Sequence, residues 1–526
     1  MIKIGYFSKT VFPIAVAALT LAACTTLEPI GPRSSTSTSD VGAPLQIKPL
    51  QIDRVALLNR VTGGIDSVSL QRMDQLAAEH FLEQQLRPAP KPSLPAEVQA
   101  QIDAMTISQT PMDQLLLELE QRRVAANAIA NDDEKKIAQR AYQDELNRLA
   151  REAATRSLLR AIYSPNQLQE QMTWFWMNHF NLSARKENLR AMLGDFEESA
   201  IRPHALGRFR DLLRATVLHP AMLRYLDNEH NAANKINENY ARELMELHTM
   251  GVGSAYTQHD VQELARVLTG IGVHIGQARG RVASMPGYGR DGLTEFNPRR
   301  HDFGDKVILG QQVRGRGLAE LDQVLLMLTR HPDTARFISR KLAQYFVSDT
   351  PSDALINAMA QRFLQTDGDI PAVLKQMFET DEFVASLGAK FKDPVHYVIG
   401  ALRLSDAELP MVNAAPILNW LNQLGQAPNG HQTPDGYAMH ASAWNSAAQM
   451  TARFDVAKLM ARGAPGLFSV NEMPDRSAAR FSLAKNVYAK NWSQAFSASS
   501  RDALTQTANA QEWSALFLSA PEMMTR

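Results

Sequence analysis

Apolar residues in this chain recur mostly at helical spacing. Between Leu70 and Leu86 they fall at Leu70, Met73, Leu76, Ala77 and Leu82, the three-and-four spacing of a helix with one buried face. A preceding helix over Ile52–Thr62 is broken by Gly63-Gly64, and the proline-rich stretch Arg87–Pro95 reads as a loop. Ala96–Ala161 is helical with a turn at Asn131-Asp132-Asp133. Ser164-Pro165 predicts a helix start, with Ser as N-cap and Pro at the first position, running to Asn181. On it Leu168, Met172, Phe175 and His179 share one face, so His179 points where the apolar residues point. Leu318–Arg330, Thr334–Val347, Asp353–Thr366, Ile370–Phe378 and Pro394–Leu404 predict further helices. Gly425–Gly436 is a turn region, and Ala441–Ala461 and Ala478–Thr525 are helical again. Gly270–Gly317 breaks the pattern and reads as a long Gly-rich loop with a hairpin at Val307-Ile308-Leu309 and Gly310. The expected fold is mainly α: a multi-helix orthogonal bundle with one long Gly-rich loop carrying a small β-hairpin.

Composition adds an address. The 55 basic and 55 acidic side chains cancel, so nothing global attracts nucleic acid, and no nucleic-acid partner is expected. Lys3 and Lys9 precede an apolar run, Val11–Leu21, too short for the ~20 residues of a membrane-spanning helix. It ends in Leu21-Ala22-Ala23-Cys24, and Cys24 is the sole cysteine. This resembles a bacterial lipobox, which implies cleavage before Cys24, lipidation of its thiol and a membrane anchor. Thr25 rather than Asp after the cysteine implies the outer membrane, facing the periplasm. The expected organisation is a signal peptide 1–23, a flexible Ser/Thr/Pro tether 24–50, an N-terminal helical region 51–163, a central core 164–317, a helical region 318–405 and a C-terminal region 406–526.

Candidate chemistry concentrates in Arg202–Gly270. Arg202-Pro203-His204 predicts a helix whose stripe is Ala205, Leu206, Phe209, Leu212, Leu213, Thr216 and Val217. His204 in its first turn would be held neutral by the helix dipole, as a ligand, a base or simply a cap. Winding Ile236 onward at about 100° per residue places Tyr240, Leu244 and Leu247 on one side with Glu243 among them. Asn239 and Glu246 flank Glu243, and His248 falls at the other edge. A carboxylate aimed at a core needs a cation, imidazole, hydroxyl or metal, or else it forms a salt bridge between helices. Thr257 and Asp260 read as a capping box, and Glu263 with Arg266 as an ion pair. His301-Asp302 in the loop could orient a base or hold a metal. Gly287-Tyr288-Gly289-Arg290-Asp291-Gly292 matches GxGxxG but follows no convincing strand and opens no helix, so no nucleotide reading is drawn. HExxH, GxSxG and P-loop signatures are absent.

The motifs RPHALGRFRDLL, MLRYLDN, NENYARELMELHTMGV, YTQHDVQELARVLTG and FNPRRHDFGDKVILG, in this order, resemble the bacterial family called domain of unknown function 1800. LNRVTGG near Leu58, the Trp174–Phe180 stretch and HPDTARFISRKLAQYFV (His331–Val347) extend the resemblance. Gly64 departs from it, standing where the family more usually has an aromatic-Gly-Pro turn. The resemblance implies an exported, mainly helical protein and carries no activity with it.

Two functional readings follow. In the first the chain is an envelope enzyme activating water for hydrolysis, with or without a divalent metal. Its catalytic residues would be His179, His204, Glu243, His301 and Asp302, with Arg202, Arg242 and Asn239 on the substrate and His248 and Glu246 on the metal. In the second the same centre is structural, in a non-catalytic helical scaffold or ligand-binding lipoprotein.

Overall fold

The computed structural model describes residues 47–48, 52–89, 93–276, 282–405, 410–464, 466–468, 481 and 483–526. The signal segment 1–23, Cys24 and the tether apart from residues 47–48 lie outside them. Order begins earlier than expected. Ile47 is buried and its amide donates to Glu83 Oε1 at 2.6 Å.

The fold is mainly α, as expected. The first described helix, Arg54–Val61, is capped by Asp53, and Gly63-Gly64 ends it. Gly64 has φ +133°, and a Cβ there would lie 2.5 Å from Gly400 Cα. Only glycine allows that crossing with helix Pro394–Ser405. Arg403 on that helix binds Gly64 O at 2.9 Å, Ile162 O at 2.5 Å and Asp66 at 2.5 Å. The antiparallel pair Met112–Ala128 and Asp132–Tyr163 turns at Asn131, whose side chain caps the second helix.

Three helical expectations are corrected. Ser164 ends the long helix rather than opening the next, because a residue before proline avoids the helical region; the Trp-rich helix is Gln167–His179. Its expected inner face is right, with Leu168, Met172, Phe175 and His179 all buried. The helix predicted from Arg202 is split. A π-helical segment Phe196–Ile201 runs into a 3-10 turn Arg202–His204, and the α-helix begins only at Phe209. The break comes from tertiary pairing: Phe209 N–H donates to Gly368 O at 2.9 Å and Ile370 N–H to Gly207 O at 3.1 Å. The helix drawn from Ile236 is likewise Asn239–Glu243 followed by a π-helical segment Leu244–Thr249. Ile236 is exposed, and Glu243 is half-buried rather than central to a core face.

The Gly-rich region holds two small sheets instead of one hairpin. Strands β1 (Ile271–Val273), β2 (Gly289–Asp291) and β3 (Thr294–Phe296) form an antiparallel sheet in the order β1-β3-β2, and β4 (Lys306–Ile308) pairs with β5 (Gln311–Val313). The GxGxxG stretch is the turn into β2 and on to β3. A closed ionic cluster fastens the hairpin. Fully buried Glu320 accepts from Lys306 Nζ at 2.6 Å, from the Arg316 and Gly317 amides at 2.6 and 2.8 Å, and faces His301 Nε2 at 3.1 Å. No described helix is long and apolar enough to cross a membrane.

Removing one partner from a buried charge cluster costs about 3–5 kcal/mol. Glu320→Ala, which strands Lys306, is therefore expected to lower the thermal midpoint by several degrees, and Glu320→Gln by less. Equal midpoints for Glu320→Ala and wild type in a denaturation scan would remove this account of the hairpin.

Candidate functional site

His179 ends the Trp-rich helix with its ring packed by Phe180, Trp176 and Phe337, at centroid distances of 4.6, 5.4 and 6.2 Å. Its Nε2 lies 3.1 Å from the carbonyl oxygen of His248. A carbonyl only accepts, so Nε2 carries the proton and Nδ1 is left as an acceptor. That Nδ1 is buried without a partner, and so is Nε2 of His248. The two rings are 6.1 Å apart. His248 stands in the π-helical segment, where Met250 N–H reaches back to Met245 O at 2.9 Å. Such wide turns re-aim side chains and occur often at functional positions. Burial and the nearby charge of Lys341 keep both imidazoles neutral, His248 being pushed down to about 3.

Lys341 comes from helix Pro332–Phe346 and is half-buried. Its Nζ lies 5.5 Å from the centroid of the Phe337 ring that also packs on His179. Among the described residues no carboxylate pairs with it. Burial pushes its amine down to about 8, against the opposing pull of Asp435. Glu243 also has neither hydrogen bond nor ion pair among the described residues. Burial raises its carboxyl first, and the charges of Glu246 and Asp435 raise it further.

Asp435 sits on a loop that the sequence marks only as a turn. Asn178 holds it through Tyr437 O at 2.9 Å and Tyr437 N–H at 2.7 Å, and Asn181 through Thr433 O at 2.8 Å. A side chain at Gly436, with φ +75°, would collide with the Asn178 carbonyl. Burial opposes the Asp435 charge, but hydrogen bonds from Thr433 and His431, at 2.5 and 3.1 Å, outweigh it. The Tyr225 hydroxyl donates to Gln432 O at 2.8 Å, and burial followed by Asp435 and Glu243 pushes it up to about 12. The charge of Lys341 thus bears on both imidazoles, and that of Asp435 on Lys341, Glu243 and Tyr225, which makes Asp435 the link between the imidazole pair and Glu243.

The remaining expected site residues lie elsewhere. Arg202 is buried between Glu170 and Glu197 at 2.5 and 2.6 Å, an ion triad joining the Trp-rich helix to the first π-helical segment. With Glu170, Gln171, Trp174 and His396 it lines a narrow crevice. His204 occupies the 3-10 turn, so burial rather than a helix dipole lowers its pKa. Arg242 reaches Gln258, Glu238 and Glu246 at 2.8, 3.1 and 3.4 Å, and Asn239 donates to Leu226 O at 3.1 Å. His301 faces Thr269 O at 2.8 Å and belongs to the Glu320 cluster, while Asp302 pairs with Arg266 at 2.8 Å instead of orienting His301. Thr257 and Asp260 do form the capping box, and Glu263 pairs with Arg266 at 2.7 Å. Glu246 and His248 share a segment, but the described residues contain no group of three His, Cys, Asp or Glu able to hold a metal ion.

Lys341, Asp435 and Tyr225 are the additions that sequence reading missed. Lys341 and Tyr225 stood inside the motifs HPDTARFISRKLAQYFV and MLRYLDN, where only helical spacing had been read. The stretches that carry the family resemblance thus supply His179, Tyr225, Glu243, His248 and Lys341 to one place. No curated protein and no solved structure matches the chain. One family model does, over residues 56–525, and nearly the whole chain belongs to that family, described as "Protein of unknown function (DUF1800)".

Proposed function

We propose that the chain is a cell-envelope enzyme, anchored by lipid at Cys24 to the outer membrane, and that Glu243, Lys341 and His179 form its acid–base centre. One observation carries the reading. Arg202, Glu320 and Asp302 are each met by opposite charge, whereas one nitrogen each of His179 and His248 is buried without a partner and half-buried Lys341 and Glu243 have no ion pair among the described residues. Open ionisable groups in a desolvated place cost stability and are kept where chemistry uses them.

The reaction this set suits is hydrolysis at a carbonyl or related centre. Glu243, which burial makes reluctant to ionise, is a carboxylate of raised basicity and can take a proton from water. The Lys341 ammonium can meet the charge developing on the substrate oxygen. His179 Nδ1 can accept a hydrogen bond from the substrate or from the attacking water. Arg242, beside Glu243 in sequence, would have to leave Gln258, Glu238 and Glu246 to hold an anionic group of a substrate. The Leu-Ala-Ala-Cys motif supports the anchor.

An enzyme and a scaffold predict opposite signs at Lys341. With its folded pKa near 8, below the ordinary lysine value of 10.5, the ammonium is penalised fully below pH 8, and the penalty fades as pH rises to 10.5. Lys341→Met is expected to raise the thermal midpoint at pH 7 by a few degrees, with the gain shrinking toward pH 10. A clear loss of stability at pH 7 would assign the lysine to the scaffold. On a panel of ester, amide and phosphoester substrates, turnover by the wild type should fall above about pH 8 as Lys341 loses its proton. Glu243→Gln should abolish it without unfolding; a panel hydrolysed equally by wild type and Glu243→Gln would refute the assignment. Cys24→Ser is expected to move the protein from the membrane to the soluble fraction, and continued sedimentation with membranes would exclude the anchor.

A further inference from the structure

Residues 390–392 pair with 524–526 in a short antiparallel ladder. Lys390 N–H donates to Arg526 O at 3.2 Å, Arg526 N–H to Lys390 O at 2.8 Å, and Lys392 N–H to Met524 O at 2.7 Å, around a bridge between Phe391 and Thr525. Strand alternation puts Lys390, Lys392 and Arg526 on one face of this ladder. Like charges across a ladder repel. Here they are also dry: Lys392 is 2% exposed, Arg526 3% and neighbouring Arg453 0%.

The acids nearby are already engaged. Asp349 pairs with Lys390. Asp393 accepts from the ring and the amide of His396, at 2.8 and 2.9 Å, and its charge, which the neutral His396 ring does not cancel, offsets only part of the charge of Arg526 and Arg453. Arg60 is occupied by main-chain oxygens, that of Arg526 included, and by Ser386 Oγ. Among the described residues Lys392, Arg453 and Arg526 form no ion pair. Their faces are covered by rings instead. Lys392 Nζ is 5.6 Å from the Trp492 centroid, Arg453 is 4.8 Å from Phe391 and 5.1 Å from Tyr397, and Arg526 is 4.8 Å from Tyr345.

Stacking satisfies the face of a guanidinium and leaves its edge. Arg453 Nη2 donates to Lys392 O at 2.6 Å and Arg526 Nη2 to Tyr345 O at 2.9 Å. Arg453 Nη1 donates to Met524 Sδ at 3.7 Å, while Nε of Arg453 and both Nε and Nη1 of Arg526 are buried with no hydrogen-bond partner. Lys392 registers the resulting repulsion, pushed down to about 7 by burial and then by Arg526 and Arg453. What this arrangement lacks is an acceptor of two or more charged hydrogen bonds.

We propose that a small oxyanion of the phosphate, sulfate or carboxylate class binds among Lys392, Arg453 and Arg526. The guanidinium edges take it through charge-assisted hydrogen bonds and Lys392 supplies a point charge. This site is separate from the Lys341 centre and does not depend on the activity proposed for it.

The test uses the full chain, desalted into phosphate-free buffer and melted against inorganic phosphate at ionic strength held constant with sodium chloride. The expected result is a saturable rise in the midpoint, about 3 °C at a hundredfold excess over Kd. Lys392→Met should melt higher than wild type without phosphate and show no phosphate response. A phosphate response identical in Lys392→Met and wild type overturns the proposal. Ion chromatography of acid-denatured wild-type protein covers an anion retained through purification, and a variant that fails to fold. About one equivalent of oxyanion per chain supports the site, and its absence together with a flat melting response refutes it.

Discussion

A guanidinium withdrawn from water must find its acceptors inside the protein, and Arg60 finds them at widely separated points of the chain. It donates to Phe346 O at 2.5 Å, Ser386 O at 2.5 Å and Arg526 O at 2.6 Å, and its own residue is fully buried. Those oxygens close the end of helix Pro332–Phe346, the end of helix Asp381–Ser386 and the ladder at residue 526. The first of these helices delivers Lys341. The end of that helix is therefore held by a side chain near the start of the described chain. Arg403 makes a comparable junction, joining Gly64, Asp66 and Ile162. The expected sequence regions are stitched to one another by buried arginines rather than by apolar contact alone.

Two treatments of buried charge stand side by side. Around Glu320 every group is met, and the outcome is a fastened hairpin. Around His179 two imidazole nitrogens are buried and unmet, and Lys341 nearby has no ion pair among the described residues. The same physics that makes the first cluster a fastening makes the second a standing cost. Contrast within one molecule is stronger support for a functional reading than the presence of His and Glu alone, because both clusters contain them.

What could be read from the chain followed local rules. The helices over 319–378 were legible because Pro332, Ser352 and Asp369 mark their starts in the expected way. His179 was placed correctly because thirteen residues of regular helix carry its face inward. Glu243 was misplaced because the helix starts at Asn239 and not at Ile236, and His248 because the winding leaves the 3.6-residue period for a π turn at Leu244. The break at Gly207 was hidden because its cause is hydrogen bonding to Gly368 and Ile370, far along the chain. Lys341 beside Arg340 looks like an ordinary solvated helix face; what changes it is the loop bearing Asp435, nearly a hundred residues later.

The bond between Arg60 and Arg526 spans 466 positions of sequence, and that separation bears on when the protein can become itself. Contacts so distant in sequence close slowly and late, since a long loop must first be ordered. At about 5–20 residues per second, ~25–90 s of synthesis separates the two partners. Throughout that interval the helix Arg54–Val61 has its side chains but not its anchorage. Until residue 526 is made, the buried Arg60 guanidinium lacks one of its main-chain anchorages.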